Sequence, residues 1–386
     1  MSDQPSKRGP RPSRRHLLAL GASLGLAGCM DITSGFEKWR QDGPATTSTN
    51  TPAATSTATP QTETATETET ETPEPVEEAV NGVPIKRTEF TYRELPYEER
   101  PQFFGQYRDA KPQCDKTVSQ VNELPDLIPA TVGDHTGHFP LRTTRWLLRC
   151  LHCYRESGKQ GYLDRAEEFS QALVDDAAIG PNDGIYFSYR LDKAGSSADL
   201  KAPWYSGMCQ GVGLSAYTYF HELTGDDKYL DLAERVFQTF KSVKRTTDGP
   251  WTTMVDPNGY YWVEEYPFEP PTHVINGKCI GIWGLYDYWL HTESAEAKLL
   301  LDATLTTVQN YADHWRVPGE VSYYGLDGYR RWQLGQTDRY PDPYRGNDYY
   351  HGVHLIQIDK LYKLTGDEFF KQMWERYKSD DPGDMS

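Results

Sequence analysis

Long apolar runs are missing from this chain: outside His16 to Gly28 no stretch of about 18 apolar residues occurs, so no other segment is expected to cross a bilayer. Cysteine is scarce. Of the six, Cys29 stands alone near the start, and Cys114, Cys150, Cys153, Cys209 and Cys279 are an odd number that cannot form a complete disulfide set. Cys150 and Cys153 have CxxC spacing, but no second CxxC and no thioredoxin-like pattern accompanies them. They read as buried structural thiols on a helix from Leu141 to Glu156. Basic residues are outnumbered too: 40 Lys and Arg against 56 Asp and Glu give a formal charge of -16, which ordinarily argues against a nucleic-acid or polyanion partner. The same carboxylate excess fits adaptation to high salt, where repulsion is screened within about 3 Å at 1 M.

What is present begins with a targeting signature. Ser13-Arg14-Arg15 precedes the short apolar run, which closes on Leu26-Ala27-Gly28-Cys29, the pattern of a twin-arginine lipoprotein signal over residues 1–28. Cleavage before Cys29 and acylation of its thiol would hold the mature protein at the cytoplasmic membrane, outside the cytoplasm, by lipid alone. Residues 29–82 are dominated by Thr, Glu, Pro, Ser and Ala, above all from Pro44 to Ala79. Such a segment has nothing to bury and repels itself, so an extended, disordered spacer is expected. The remainder, 83–386, is rich in Trp, Tyr and Leu and long enough for one domain with a substantial core.

That domain carries an internal repeat. Turn signals at Gly158, Gly225, Glu293 and Gly366 are spaced by 67, 68 and 73 residues, and each separates two apolar, helix-like runs. Helical hairpins that cannot bury their apolar faces alone are expected to stack around an axis. The predicted fold is therefore dominated by α-helix, an αα toroid of about four helical hairpins with short β-hairpins at one rim. The region from Val83 to Phe139 reads as an irregular arm wrapping the barrel. Between the second and third hairpins, Asp256-Pro257-Asn258-Gly259 separates Trp251–Val255 from Tyr260–Tyr266, a β-hairpin signal. Pro267, Pro270 and Pro271 end strand pairing, and a helix is predicted from about Ile275. Glu320–Tyr324 reads as another strand-like rim segment.

Ordered motifs cluster in the second half. Trp204-Tyr205-Ser206-Gly207-Met208-Cys209-Gln210-Gly211, Glu264-Glu265-Tyr266-Pro267, Ile275-Asn276-Gly277, Gly284-Leu285-Tyr286-Asp287-Tyr288, Val321–Tyr324 and Tyr349–His354 follow one another from about Pro203 to Tyr377. In order and spacing they resemble the C-terminal domain of the D-glucuronyl C5-epimerases, which convert glucuronate to iduronate within heparan-type chains. The resemblance implies a helical barrel and a uronate-containing polysaccharide as substrate. It also implies Glu265 and Tyr350 as opposed proton-transfer groups, with Tyr266 and Tyr324 orienting the sugar. Where the family has an arginine three residues after the tyrosine matched by Tyr324, this chain has Asp327. The cation for the substrate carboxylate is then expected at Arg330 or Arg331.

Physical chemistry sets the same demands. Inverting C-5 removes a proton alpha to a carboxylate and returns one to the other face, which needs neutralised carboxylate charge and acid/base groups on both faces. Strict strand alternation sends Glu265 and Tyr266 to opposite faces and leaves Glu264 beside Tyr266, so either the backbone bends before Pro267 or one of the three is structural. Tyr350, His354 and Gln357 fall on one helix face. His351, His354, Tyr205, Gln210 and Asn276 are further substrate-binding candidates. No acidic ligand follows His351 and His354 at helical spacing, so no metal and no cofactor is expected. Met208, Tyr260, Tyr261, Trp262, Tyr286 and Tyr288 are either sugar-stacking or core. A polysaccharide lyase, which abstracts the same proton and then eliminates, is an alternative, as is a glycan-binding protein without catalysis. A hydrolase fits less well, because it needs two flanking carboxylic acids and Glu264 or Glu265 has no convincing partner.

Overall fold

The computed structural model describes residues 75–101, 114–132, 134–193, 200–244, 249–326 and 348–380. Strands β1 (Val76–Val80) and β2 (Val83–Arg87) form the first antiparallel pair, joined by Asn81 and Gly82 at φ 47° and 75°. This Asn-Gly turn between valine-containing strands has the mirror-image geometry that matches strand twist. β1 therefore lies inside the stretch 29–82 expected to be spacer, because Val80 and Ile85 do find a core to enter. A short helix α1 (Val118–Asn122) and the pair β3 (Pro129–Val132) and β4 (His135–His138) follow.

The helical hairpins come next: α2 (Pro140–Ser157) with α3 (Gln160–Asp176), and α4 (Gly207–Thr224) with α5 (Asp227–Lys241), separated by the small ladder of β5 (Ala178–Ile179) and β6 (Ile185–Tyr186). After β7 (Thr253–Val255) and β8 (Tyr261–Val263) come α6 (Ile275–Thr292) with α7 (Ala295–Trp315), and finally α8 (Asp348–Thr365) with α9 (Glu368–Ser379). The four expected turns are the four hairpin corners. Gly158, Gly225, Glu293 and Gly366 each take the left-handed conformation that ends a helix, at φ 65°, 67°, 54° and 68°. In the Leu-Thr-Gly-Asp repeats the aspartate then caps the next helix, Asp226 accepting from the Lys228 N–H and Asp367 from the Phe369 N–H.

α2, α4, α6 and α8 pack side by side as an inner layer, and each is backed by its own returning partner, α3, α5, α7 and α9. This is the αα-toroid arrangement. Inner helix α6 is buried from Ile275 through Tyr288, whereas outer α5 buries only the stripe of Tyr229, Ala233, Val236, Phe237 and Phe240 together with Thr239. At the crossing of α4 and α6 the backbones touch. A Cβ on Gly211 would lie 2.6 Å from the Ile280 carbonyl, and one on Gly284 would lie 2.4 Å from the Gly211 carbonyl.

The expected arm is observed over residues 88–101, and it runs across the C-terminal ends of the inner helices. Arg93 N–H donates to the Leu364 carbonyl (2.8 Å), Leu95 N–H to Tyr286 Oη (2.9 Å), and Arg100 pairs with Glu222 (2.9 Å). Tyr97 stacks on Tyr219 with ring centroids 4.1 Å apart and reaches His152 Nδ1 at 3.3 Å. On the outer layer the fully buried Asp302 carboxylate gathers Arg87 (3.0 Å), Lys298 (3.0 Å), Tyr92 Oη (2.6 Å) and the Phe90 N–H (3.3 Å). One end of the inner layer is thus sealed.

Two expectations are corrected. Cys153 is not a free thiol: it forms a disulfide with Cys114, 39 residues away, while Cys150, Cys209 and Cys279 are free and buried. The α2 turn that carries the CxxC pair sends Cys150 into the core and Cys153 toward the arm. Glu320–Tyr324 is not a strand among the described residues. Glu320 N–H closes a turn onto Val317 O (3.0 Å), and Tyr323 N–H reaches Trp315 O (2.8 Å).

Candidate active site

The hairpin of β7 and β8 is organised by Asp256, whose carboxylate accepts from the Asn258 and Tyr260 N–H groups (2.8 and 3.1 Å), from Trp262 Nε1 (3.0 Å) and from Tyr311 Oη. The ladder ends at Val263, paired with Thr253. Glu264 is the last residue to follow the strand: its N–H donates to Thr252 O (2.8 Å) and its carbonyl accepts from Gly207 N–H (2.7 Å). Its carboxylate points into the core, taking the His273 ring Nδ1–H at 2.6 Å and the His273 backbone N–H at 3.1 Å. The two ends of the loop 264–273 are therefore pinned together. His273 holds φ at 49° to make that double contact and stacks on Trp262 at 3.7 Å between ring centroids.

The backbone then bends, which answers the alternation problem, since Glu264 is the structural one of the three. Glu265, only 1% exposed, turns its carboxyl to the first turn of α6. Oε1 accepts from Tyr324 Oη at 3.0 Å and Oε2 from Asn276 Nδ2 at 3.3 Å. Gly277 leaves room for it: a Cβ there would fall 2.4 Å from Glu265 Cβ. Burial raises the Glu265 pKa above the ordinary carboxylate range, and hydrogen bonding from Tyr266 and Tyr324, the charge of Lys193 and the Asn276 amide pull it partly back.

Around this acid the aromatic residues form one group. The rings of Tyr324 and Tyr350 meet edge to face with centroids 4.5 Å apart, and both pack with Val274, Tyr266 and Tyr349. Tyr266 lies 6.1 Å from Trp204, ring to ring, and carries Lys193 Nζ 4.3 Å over its face. Asn276 is braced from α8, its Oδ1 accepting from Gln357 Nε2 at 2.8 Å. The structure thus brings together Glu265, Tyr266, Tyr324, Tyr350 and Asn276 from a rim loop and from the N-terminal ends of α6 and α8. A buried acid with a raised pKa, beside tyrosine hydroxyls, is an arrangement suited to moving a proton on and off a bound molecule.

Other nominated residues lie elsewhere or do other work. Gln210 faces away, its Nε2 donating to Ile185 O (2.8 Å) and Thr239 Oγ1 (3.2 Å) and its Oε1 accepting from the Phe187 N–H (3.1 Å). Every polar atom of that amide is engaged in joining α4 to β6 and α5. Tyr205 packs edge-on against Tyr186 at 5.6 Å, and its partial burial raises its pKa. His351 and His354 both hold Ser322, two residues before Tyr324. His351 Nδ1 accepts from the Ser322 N–H (3.0 Å) while Nε2–H donates to Tyr377 O (3.0 Å), and His354 Nδ1 meets Ser322 Oγ at 2.8 Å. Burial drives the His354 pKa down to about 3, so the ring is neutral. Tyr260, Tyr261, Trp262, Tyr286, Tyr288 and Met208 are core, none more than 8% exposed. Tyr286 and Asp287 of the Gly284–Tyr288 motif belong to the sealed end, Asp287 accepting from Ser215 Oγ at 2.6 Å. Arg330, Arg331 and Cys29 lie outside the described residues. His273 and Lys193 were missed; the signal available for Lys193 was the alternation of Tyr189, Leu191 and Lys193.

The family model described as D-glucuronyl C5-epimerase C-terminus matches residues 182–379, which span α4 to α9 and every member of the Glu265 cluster. The chain belongs to this family. A D-glucuronyl C5-epimerase of Caenorhabditis elegans is 32% identical over 236 residues, 57% of this chain and 36% of that protein. An uncharacterized protein of Methanocaldococcus jannaschii is 26% identical over 210 residues, 54% of this chain and 63% of that one. The chain of this C5-epimerase family member therefore spans less than two thirds of either relative. Among solved structures, the cellobiose 2-epimerase of Bacillus thermoamylovorans is similar at 13% identity and a TM-score of 0.43, over 63% of this chain and 60% of that one.

Proposed function

We propose that this protein epimerises D-glucuronate units to L-iduronate at C-5 within a uronate-containing polysaccharide. The observation that carries the reading is the Glu265 carboxyl, buried, raised in pKa and hydrogen-bonded to Tyr324, with the Tyr350 ring packed against the same tyrosine. Family membership supports the reaction class. On this reading ionised Glu265 takes the C-5 proton, and the electron pair of the broken C–H bond moves into the carboxyl group as an enediolate. Tyr350 Oη then protonates C-5 from the other face. Before the next turnover the proton on Glu265 leaves and Tyr350 regains one from solvent; in the reverse direction the two exchange roles. A carboxyl group whose pKa lies nearer neutrality is the better base for such a weakly acidic C–H, provided that it still ionises at the working pH. Tyr266 and Tyr324 orient the sugar in this scheme.

The enzyme on this reading works outside the cytoplasm, held at the membrane by lipid on Cys29. The Cys114–Cys153 disulfide fits an oxidising compartment.

The test is incubation of purified protein with glucuronate polymers in deuterium oxide. Deuterium should enter C-5 and both epimers should appear without chain shortening. Glu265→Gln and Tyr350→Phe should each lose about 100- to 10,000-fold in rate. An ultraviolet-absorbing unsaturated uronate would assign a lyase, new reducing ends a hydrolase, and polymer binding without exchange a glycan-binding protein.

A further inference from the structure

We infer that Lys193 is the cation that receives the carboxylate of the uronate unit, an inference that rests on the epimerase reading and adds its specificity element. The starting point is backbone register. Tyr189 bridges Trp204 and Lys193 bridges Leu200, both antiparallel and both in one register, so two bridges tie 189–193 to 200–204 beside the site. Alternation along 189–193 puts Tyr189, Leu191 and Lys193 on one face. That face is the inner one. Tyr189 and Leu191 are buried on it, and Tyr189 stacks on Trp204 with centroids 3.8 Å apart. Asp192 faces the other way, to Lys201 Nζ at 2.8 Å and the Ala202 N–H at 3.0 Å.

Lys193 is then fixed by its own backbone, its N–H donating to Leu200 O (2.9 Å) and its carbonyl accepting from the Leu200 N–H (2.8 Å). The stem ends with Nζ 4.3 Å over the Tyr266 ring, one residue from Glu265, and the Lys193 charge is felt at the Glu265 carboxyl. The residue is half-buried.

Removing a proton alpha to a carboxylate builds a second negative charge on that group, and a cation placed there in advance stabilises the enediolate more than the ground state. A group in this position must lie close to the base yet not consume it by direct pairing. Lys193 meets that requirement by resting on Tyr266, while Glu265 is held by Tyr324 and Asn276. A purely structural lysine would not distinguish one ligand charge from another.

The experiment compares wild type, Lys193→Met and Lys193→Arg on a glucuronate polymer and on the same polymer with its carboxyl groups reduced to alcohols. Met keeps the apolar stem and Arg keeps the charge. The wild type should bind the native polymer more tightly than the reduced one, and Lys193→Met should bind the two alike. In C-5 deuterium exchange Lys193→Met should lose at least about 30-fold in kcat/KM, as for truncation of one partner of a desolvated charge pair. Lys193→Arg should recover most of that loss. Unchanged thermal unfolding of both variants would show that folding is not the cause, and the Arg variant keeps the comparison valid if Met disturbs the bridges. A Lys193→Met protein that matches the wild type in exchange and keeps its preference for the native polymer overturns the inference and leaves the epimerase reading standing. A wild type that shows no exchange, but whose preference for carboxylate disappears in Lys193→Met, overturns the epimerase reading and leaves Lys193 as the carboxylate receptor.

Discussion

A single methyl group at Gly277 should separate the positioning of Glu265 from the stability of the fold. The added Cβ would lie 2.4 Å from Glu265 Cβ, 2.8 Å from its Cγ and 2.8 Å from its Oε2. Carbon atoms pack at about 3.5–4.0 Å, so the side chain must retreat by roughly 1 Å. It has little freedom to do so quietly, because its carboxyl is bound by Tyr324 and Asn276 and its backbone follows directly on the pinned Glu264. Overpacking of this kind costs about 1–3 kcal/mol. Replacing a helical glycine by alanine returns about 1 kcal/mol, so the net loss of stability should lie between zero and about 2 kcal/mol. For a domain of this size that is a fall in Tm of no more than about 8 °C. Catalysis has no such offset, and displacement of a reacting group by 1 Å costs on the order of 100-fold. The assay is the rate of C-5 deuterium incorporation into a glucuronate polymer beside a thermal melt of the same sample. Gly277→Ala with a wild-type exchange rate would refute the view that the acid must sit where this helix turn places it. A collapse of the melt in proportion to the rate would refute the separation of the two effects.

Four further outcomes follow from buried groups and from the chain ahead of the barrel. Lys278 is fully buried with Nζ 3.1 Å from Tyr261 O, and burial lowers its pKa from 10.5 to about 7. Between those values the unfolded chain holds a proton that the folded chain has released, so this lysine makes stability rise with pH, by up to about 1.4 kcal/mol per unit. The stability of Lys278→Met relative to wild type should accordingly be greatest at pH 7 and below and should decline toward pH 10 in urea unfolding; a pH-independent difference would refute the assignment. His273→Ala leaves the Glu264 carboxylate buried without its ring partner and should cost about 3–5 kcal/mol, read as a lowered denaturation midpoint, unlike a surface substitution. Cys29→Ala should release the protein from membranes with exchange activity intact, and deletion of residues 44–74, which stops short of β1, should leave the melting temperature unchanged. Persistent membrane association, or a lowered melt, would contradict the lipid anchor or the spacer respectively.

The architecture was legible because its signals are local. Leu-Thr-Gly-Asp at 223–226 and 364–367 encodes a left-handed helix end and the cap of the next helix within four residues, and the repeat of turns was visible also at Gly158 and Glu293, which lack that tetrapeptide. The hairpin at Asp256 and the start of α6 at Ile275 were readable for the same reason. Site roles were harder, because a buried polar side chain announces that it needs a partner without saying which. Gln210 and His351, nominated as substrate-binding residues, bond to backbone, threonine and serine groups, and His354 meets Ser322 through Nδ1 while its buried Nε2 finds no partner among the described residues. Cys153 lacked any sequence cue for its partner because Cys114 approaches through an irregular segment. The strand β1 went unseen for a compositional reason: Val76-Glu-Glu-Ala-Val80 continues the acidic spacer in composition, and only the Asn81-Gly82 turn marks it as different.

A chain of formal charge -16 acting on a polyanion would be repelled if charge were spread evenly, so the orientation of the toroid carries weight. The inner helices run parallel. Their C-terminal ends, where helix dipoles are negative and carbonyls are unpaired, are the ends covered by residues 88–101, with Arg93 N–H on the Leu364 carbonyl and Arg100 on Glu222. Their N-terminal ends, where the dipoles are positive, surround the Glu265 cluster, with Asn276 and Gly277 from α6 and Tyr350 from α8. The arm therefore does more than complete the core: among the described residues it occupies the electronegative end and leaves open the electropositive end, which a uronate chain would approach on the proposed reading. The same asymmetry bears on catalysis. Helix dipoles favour ionised Glu265 while burial raises its pKa, so two opposed influences act on the group that on the proposed reading takes and returns a proton. Lys193 adds a positive charge to that fixed field, over the ring of Tyr266 next to Glu265, where the substrate carboxylate would lie on the proposed reading.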